Sequence, residues 1–195
     1  ERSKIAVNEY FYDGIFEDSI LYDYNLLYIN KDLIWNHEEI VKVCRFVQEG
    51  NTAFISTIHL PEEFMDSLKV DAVSNDFFPM MLPFPDTTAV SLADSCLQVE
   101  PITFHKGISG SYFTSYDSAY TKVLGFTEKY HKKKVNFISV RYGTGKFYLH
   151  LEPAVFTNFF LLKEGCHHYA ESALSYIPAD FDIIWSVHNQ TSKVI

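Results

Sequence analysis

The residues with the most chemical potential stand in a few short stretches. Gly143-Thr144-Gly145-Lys146, within RYGTGKFYLHLEP, carries the glycines and the lysine of a phosphate-cradling loop. Such a loop needs G-x-x-x-x-G-K-[ST], so that backbone amides wrap the phosphates and a hydroxyl reaches the metal. Val140 stands where the first glycine belongs and Phe147 replaces the hydroxyl residue, so the motif fails at both ends. Gly143 and Gly145 are instead expected to lend positive-φ freedom to a tight turn between two strands, with Lys146 solvated at the start of the second.

Cys166, His167 and His168, with His150 and Glu152, are metal-ligating residue types. Adjacent side chains on a helix diverge by about 100°, so one histidine packed and one solvated is the expectation, rather than a metal centre. Covalent catalysis needs a Cys or Ser on a sharp turn, a His base and an orienting carboxylate. Cys44 falls on the inward face of a helix, Cys96 lies in Asp-Ser-Cys-Leu with no Gly-x-Cys-x-Gly elbow, and Cys166 follows a helical segment. Ser56 has no Gly-x-Ser-x-Gly context, and Ser109 sits in the glycine-rich turn Gly107-Ile108-Ser109-Gly110. Glu38-Glu39 and Glu62-Glu63 belong to helix starts, where negative charge favours the dipole. No catalytic residue, metal ligand or cofactor is assigned on this basis.

The elements that would position a site are clearer. LLYIN (Leu26 to Asn30) reads as a strand, and Asn36 with Glu39 reads as a capping box opening a helix. Ile40, Val43, Cys44 and Val47 recur at helical spacing, and Gly50 stands at the C-terminal cap position. TAFIST (Thr52 to Thr57) is apolar on both faces, as a covered parallel strand should be, and completes a βαβ unit. Residues 72–134 read as an irregular, strand-rich elaboration of one domain spanning 1–195. VNFISVRY and KFYLHLEP form a β-hairpin near 135–151. VFTNFFLL and HHYAESALSYI are helical with a break at Gly165-Cys166, and FDIIW closes the chain as a buried strand. This order predicts an α/β three-layer sandwich with a mostly parallel sheet.

Composition bounds the function. The 195 residues suit one core, and 47% hydrophobic content with 17 Phe and 13 Tyr argues against disorder. Sixteen Lys and Arg against 25 Asp and Glu leave a formal charge of -9, which opposes nucleic-acid binding. Lys132, Lys133 and Lys134, the single basic run, read as a solvated turn before a strand. Three widely spaced cysteines indicate neither a disulfide framework nor a zinc knuckle. No run approaches the roughly 18 apolar residues that span a bilayer. The chain opens at Glu1 without an initiator Met, as a trimmed chain would whose removed ends could have carried a targeting or membrane segment, so the absence of such a segment from it decides nothing.

LLYIN followed by EEIVKVCRFVQEGNTAFIST resembles the first half of a class I glutamine-amidotransferase-like fold. VNFISVRYGTGKFYLHLEPAVFTNFFLL, with ALSYIP and DIIW behind it, is similar to the bacterial family named domain of unknown function 4350. The resemblance implies a flavodoxin-like sandwich held on the periplasmic side of the cytoplasmic membrane between two transmembrane helices, with no established activity. An open α/β sheet seats ligands beyond the carboxyl ends of its parallel strands, which makes Asn30, Thr57 and His59 candidates for lining a crevice. Asn158, after Pro153, is a fourth. The expected function is a non-catalytic ligand-binding or protein-interaction ectodomain with a protein or small-molecule partner. The rival is a hydrolase or transferase of amidotransferase-like ancestry that uses an unrecognised residue such as His59 or Cys166.

Overall fold

The run Tyr24–Ile29 is β2, followed by α1 (His37–Gln48) and β3 (Thr52–Ser56). This βαβ unit belongs to a computed structural model that describes residues 5–8, 23–75, 87–97, 100–105, 107–163 and 165–187. β1 (Ile5–Asn8) precedes it; α2 (Glu62–Leu68), β4 (Val70–Val73), β5 (Thr88–Leu92), β6 (Ile102–Phe104), β7 (Tyr112–Tyr116), β8 (Thr121–Lys129), β9 (Lys132–Tyr142) and β10 (Gly145–His150) follow. A 3-10 turn (Pro153–Phe156), α3 (Asn158–Leu161), α4 (Cys166–Leu174) and β11 (Asp182–Ser186) complete the described chain.

Asn36 caps α1 as its spacing predicts. Its side chain accepts from the Glu39 amide at 3.1 Å, and the Glu39 carboxylate accepts from the Asn36 amide at 2.7 Å. Asn36→Ala is expected to cost about 1 kcal/mol, read as a lower urea midpoint at unchanged slope. Gly165, with φ 77°, breaks the last helical region into α3 and α4.

The described strands form one nine-stranded sheet, ordered β1-β11-β2-β3-β10-β9-β8-β5-β6, and a separate β4–β7 ribbon. From β1 to β10 neighbouring strands run parallel; from β10 to β6 they alternate in direction. The expectation of a mostly parallel three-layer sandwich of the glutamine-amidotransferase-like or flavodoxin-like kind is therefore corrected to a curled mixed sheet. The physical source of the difference is the 72–134 region. Its strands β5, β6 and β8 join the main sheet as an antiparallel wing, and β8 carries two register shifts around Gly125 that bend it.

Side-chain alternation builds a core on each face. Leu26, Tyr28, Ala53, Ile55, Phe147 and Leu149 pack against α1, α2 and the β4–β7 ribbon. Phe54, Phe137 and Tyr148 point the other way, toward Val155, Phe160, Tyr169 and Ala173. One face is thus closed partly by strands, which an alternating strand-helix pattern does not foretell.

Two local readings also change. Lys132–Lys134 is not a turn but the exposed start of β9. The turn is Tyr130-His131, both at positive φ (50° and 60°), and Lys133 lies in register with Glu128. Of the glycines flanking Thr144, only Gly143 has positive φ (59°). Gly145 serves a close approach: a Cβ there would stand 2.1 Å from the Val47 carbonyl oxygen and 2.2 Å from that of Asn51.

Candidate functional site

Beyond their carboxyl ends, β2 and β3 continue side by side. The Asn30 amide donates to the Ser56 carbonyl at 3.1 Å, the Ile58 amide to Lys31 at 2.9 Å, and the Leu33 amide to His59 at 3.1 Å. Buried Leu33 and Trp35 anchor the first of these loops, with Trp35 edge-on to Tyr28 and Phe64. The Tyr28 hydroxyl donates to the Asp32 carbonyl at 2.8 Å; burial pushes its pKa up to about 12, so it stays a donor.

This scaffold brings Asp32 and His59 together. His59 Nδ1 lies 2.5 Å from Asp32 Oδ1, and His59 Nε2 lies 2.7 Å from Ser74 Oγ, just past β4. The His59 and Asp32 side chains are 39% and 47% exposed, and Ser74 is half-buried. With Nδ1–H donated to the carboxylate, Nε2 is an acceptor and the Ser74 hydroxyl donates to it. That is the order and polarity of a serine–histidine–carboxylate relay.

Two further polar groups adjoin it, one half-buried and one buried. Asn75, next to Ser74, donates its amide to Ser111 Oγ at 3.2 Å and its side-chain nitrogen to the Gly110 carbonyl at 2.8 Å. The loop through Ser109 and Gly110 then gives three donors to one oxygen, Glu152 Oε2: the Ser109 amide at 2.8 Å, its hydroxyl at 2.9 Å and the Gly110 amide at 3.1 Å. Gly110 makes the required bend at φ 69°.

Deeper still, His150 is fully buried, with Nδ1 2.8 Å from Ser56 Oγ and Nε2 3.0 Å from the Tyr169 hydroxyl. The Glu152 amide, which can only donate, also faces Nδ1 at 3.4 Å, so Nδ1 accepts and Nε2–H is donated to Tyr169. Burial pushes the His150 pKa down to about 3 and that of Tyr169 well up, so both are neutral. Ser56, although hydrogen-bonded to a histidine, is closed to solvent and serves the core.

Of the four residues expected to line a crevice, the structure places His59 at the centre of the exposed relay. Asn30 turns to its own backbone, its side-chain oxygen accepting from the Lys31 amide at 2.8 Å. Thr57 is buried and donates to the Lys31 carbonyl at 2.8 Å, tying the two loops. Asn158 begins α3, which packs with α4 and the 3-10 turn away from the relay, and its side chain is exposed. Sequence reasoning missed Asp32 and Ser74. They stand 27 residues before and 15 after His59, and only strand pairing makes them neighbours.

The cysteines are elsewhere. Cys44 is buried in the α1 face of the core; burial pushes its thiol up to about 11. Cys166, the first residue of α4, is buried, and Cys96 is exposed. His167 is half-buried and His168 exposed, with rings 4.0 Å apart. Among the described residues, no group of three or more His, Cys, Asp or Glu is placed to hold a metal ion, and no helix is long and apolar enough to cross a membrane.

Fold and relay together define a curled, mixed α/β domain with a polar constellation at the carboxyl ends of two parallel strands. No protein-family model matches the chain, and no match was found among curated protein sequences. Solved structures do match. The mmIFT52 N-terminal domain is 10% identical with a TM-score of 0.52, covering 73% of this chain and 71% of that one. An exo-β-1,4-mannosidase from Opitutaceae bacterium strain TAV5 is 11% identical with a TM-score of 0.50, covering 78% of this chain and 24% of that one. A GH42 β-galactosidase from G. stearothermophilus is 10% identical with a TM-score of 0.49, covering 83% of this chain. The chain spans 22% of that β-galactosidase's length. At these identities the first two likenesses concern fold alone. Neither of the first two is a glutamine amidotransferase or a flavodoxin, in keeping with the corrected fold.

Proposed function

We propose that this chain is a ligand-binding domain of a bacterial envelope protein, with its ligand seated on Asp32, His59 and Ser74. The observation that carries the reading is their convergence. Three segments from distant parts of the sequence present half-exposed polar side chains at one end of the sheet, where open α/β sheets seat ligands. A polar triad left in contact with solvent, on loops held by backbone hydrogen bonds, is a preorganised site for a small polar molecule.

The envelope placement comes from the resemblance of the hairpin and following helices to the domain of unknown function 4350 family. It is tested by expressing the full-length gene product in its host and asking whether it fractionates with membranes and is cleaved by protease added outside the cytoplasmic membrane. The binding reading is tested by two-dimensional amide NMR with millimolar neutral amides, short esters, amino acids and monosaccharides. The largest shifts are expected at Asp32, His59, Ser74 and Asn75, and they should vanish in His59→Ala. Shifts centred on exposed Phe159 and Leu162 of the α3 region, or none at all, would overturn the placement.

In a second reading the same three residues act on the ligand as well as hold it. A serine within hydrogen-bond reach of a histidine whose other nitrogen faces a carboxylate favours a hydrolase at the same site.

A further inference from the structure

The geometry points to acyl transfer at Ser74: we infer that Asp32, His59 and Ser74 hydrolyse short esters of uncharged acyl groups. The inference rests on the ligand-binding reading of this site and deepens it. Three observations carry it. The Ser74 hydroxyl is 2.7 Å from His59 Nε2, within the range for direct proton transfer. The opposite ring nitrogen lies 2.5 Å from Asp32 Oδ1, which fixes the tautomer that leaves Nε2 free to take a proton. Both His59 and Asp32 remain more than a third exposed, unlike the Ser56–His150 pair, which shares the contact but is sealed in the core.

The surroundings hold this arrangement before any ligand arrives. Asp32 is clamped through its carbonyl by Tyr28, and His59 through its carbonyl by the Leu33 amide, so both side chains emerge from fixed backbone. The amide of Asn75, the residue after the serine, supplies a donor beside the nucleophile. It donates to Oγ of buried Ser111 at a long 3.2 Å, so it serves a substrate carbonyl oxygen only once Ser111 releases it. The residue after the nucleophile is a common source of an oxyanion donor. A formal charge of -9 disfavours anionic esters, hence the uncharged acyl class.

In the first half-reaction, Ser74 Oγ bonds to the acyl carbon while its proton passes to His59 Nε2. The oxyanion collapses, the bond to the alcohol oxygen breaks, and the Nε2 proton leaves with the alcohol. Water then attacks the acyl-serine and gives a proton to Nε2. The bond to Oγ breaks, Oγ recovers the proton, and a carboxylic acid departs. Ester and water become acid and alcohol, with no other reactant. His59 and Ser74 are the catalytic residues, and Asp32 is a positioning residue.

The test uses a fluorophosphonate probe, with peptide mapping by mass spectrometry, and p-nitrophenyl acetate turnover. Ser74 is the expected adduct, with exposed Ser67 unlabelled. Labelling should disappear in Ser74→Ala and slow by about 10²- to 10⁴-fold in His59→Ala, with circular dichroism and melting unchanged. Asp32→Asn should lower kcat by far more than it moves KM, whereas a merely structural loss would disturb both alike. An inert Ser74 in folded protein, or equal labelling of the wild type and His59→Ala, overturns the inference. If the NMR shifts at Asp32 and His59 persist while the probe is inert, acyl transfer fails and the binding reading stands. If both are absent, both fail.

Discussion

Gly145→Ala is expected to destabilise the protein by about 3 kcal/mol or more, enough to lower the melting temperature by roughly 10 °C. The cause is contact, not backbone conformation. The turn joining β9 to β10 is pressed onto the C-terminus of α1, where the Thr144 amide and hydroxyl both donate to the Gln48 carbonyl, at 3.1 Å and 2.9 Å. Closing that gap leaves no room at residue 145 for a methyl group, whose carbon would lie 2.1 Å and 2.2 Å from two backbone oxygens. Backbone cannot yield as a side chain can, so β10 or the end of α1 has to move. β10 is the strand on which the parallel and antiparallel halves of the sheet meet, so the displacement reaches both. Gly165→Ala is the control. It has positive φ (77°) with nothing within 4 Å of the added carbon, so it should cost only about 1 kcal/mol of backbone strain. Thermal melts of the two variants decide the matter: equal losses would show that conformation, not close approach, selects glycine at 145.

The same turn shows what sequence can and cannot display. The G-T-G spacing locates a hairpin because turn chemistry is local, and Asn36 with Glu39 locates a helix start for the same reason. The use of Gly145 as a spacer is invisible, because its partners Val47 and Asn51 are almost a hundred residues away. The lysine run suggests a turn at 132–134, whereas the hairpin between β8 and β9 turns at Tyr130 and His131, which adopt positive φ without the glycine or asparagine that announces it. Sheet direction failed likewise. β5 alternates cleanly between buried and half-buried residues, but alternation fixes which face is buried and not which neighbour the strand joins. The site follows suit: His59 was legible as a polar residue past a buried strand, whereas Asp32 and Ser74 become its partners only through the β2–β3 extension and the end of β4.

Acidification below pH 6.5 is expected to destabilise the native state through His150, and His150→Gln should remove that component. In the unfolded chain a histidine takes up a proton near pH 6.5. In the folded protein burial pushes the pKa of His150 down to about 3, because the ring lies among Phe54, Phe137 and Phe156 with its nitrogens committed to Ser56 and Tyr169. Between these values the unfolded state binds more protons, so stability rises with pH across the window. The stabilisation is complete above pH 6.5 and is lost progressively as pH falls toward 3. Over the span from pH 6.5 to pH 4 this amounts to roughly 3 kcal/mol. Glutamine retains hydrogen-bonding capacity and does not titrate, so His150→Gln should be less stable at pH 7 yet show a shallower acid limb. Carboxylate protonation contributes to both proteins and cancels in the comparison. Urea denaturation at pH 7, 5.5 and 4 provides the measurement. Parallel losses in the two proteins would mean that His150 is protonated in the native state, and the neutral Ser56–His150–Tyr169 chain would have to be abandoned.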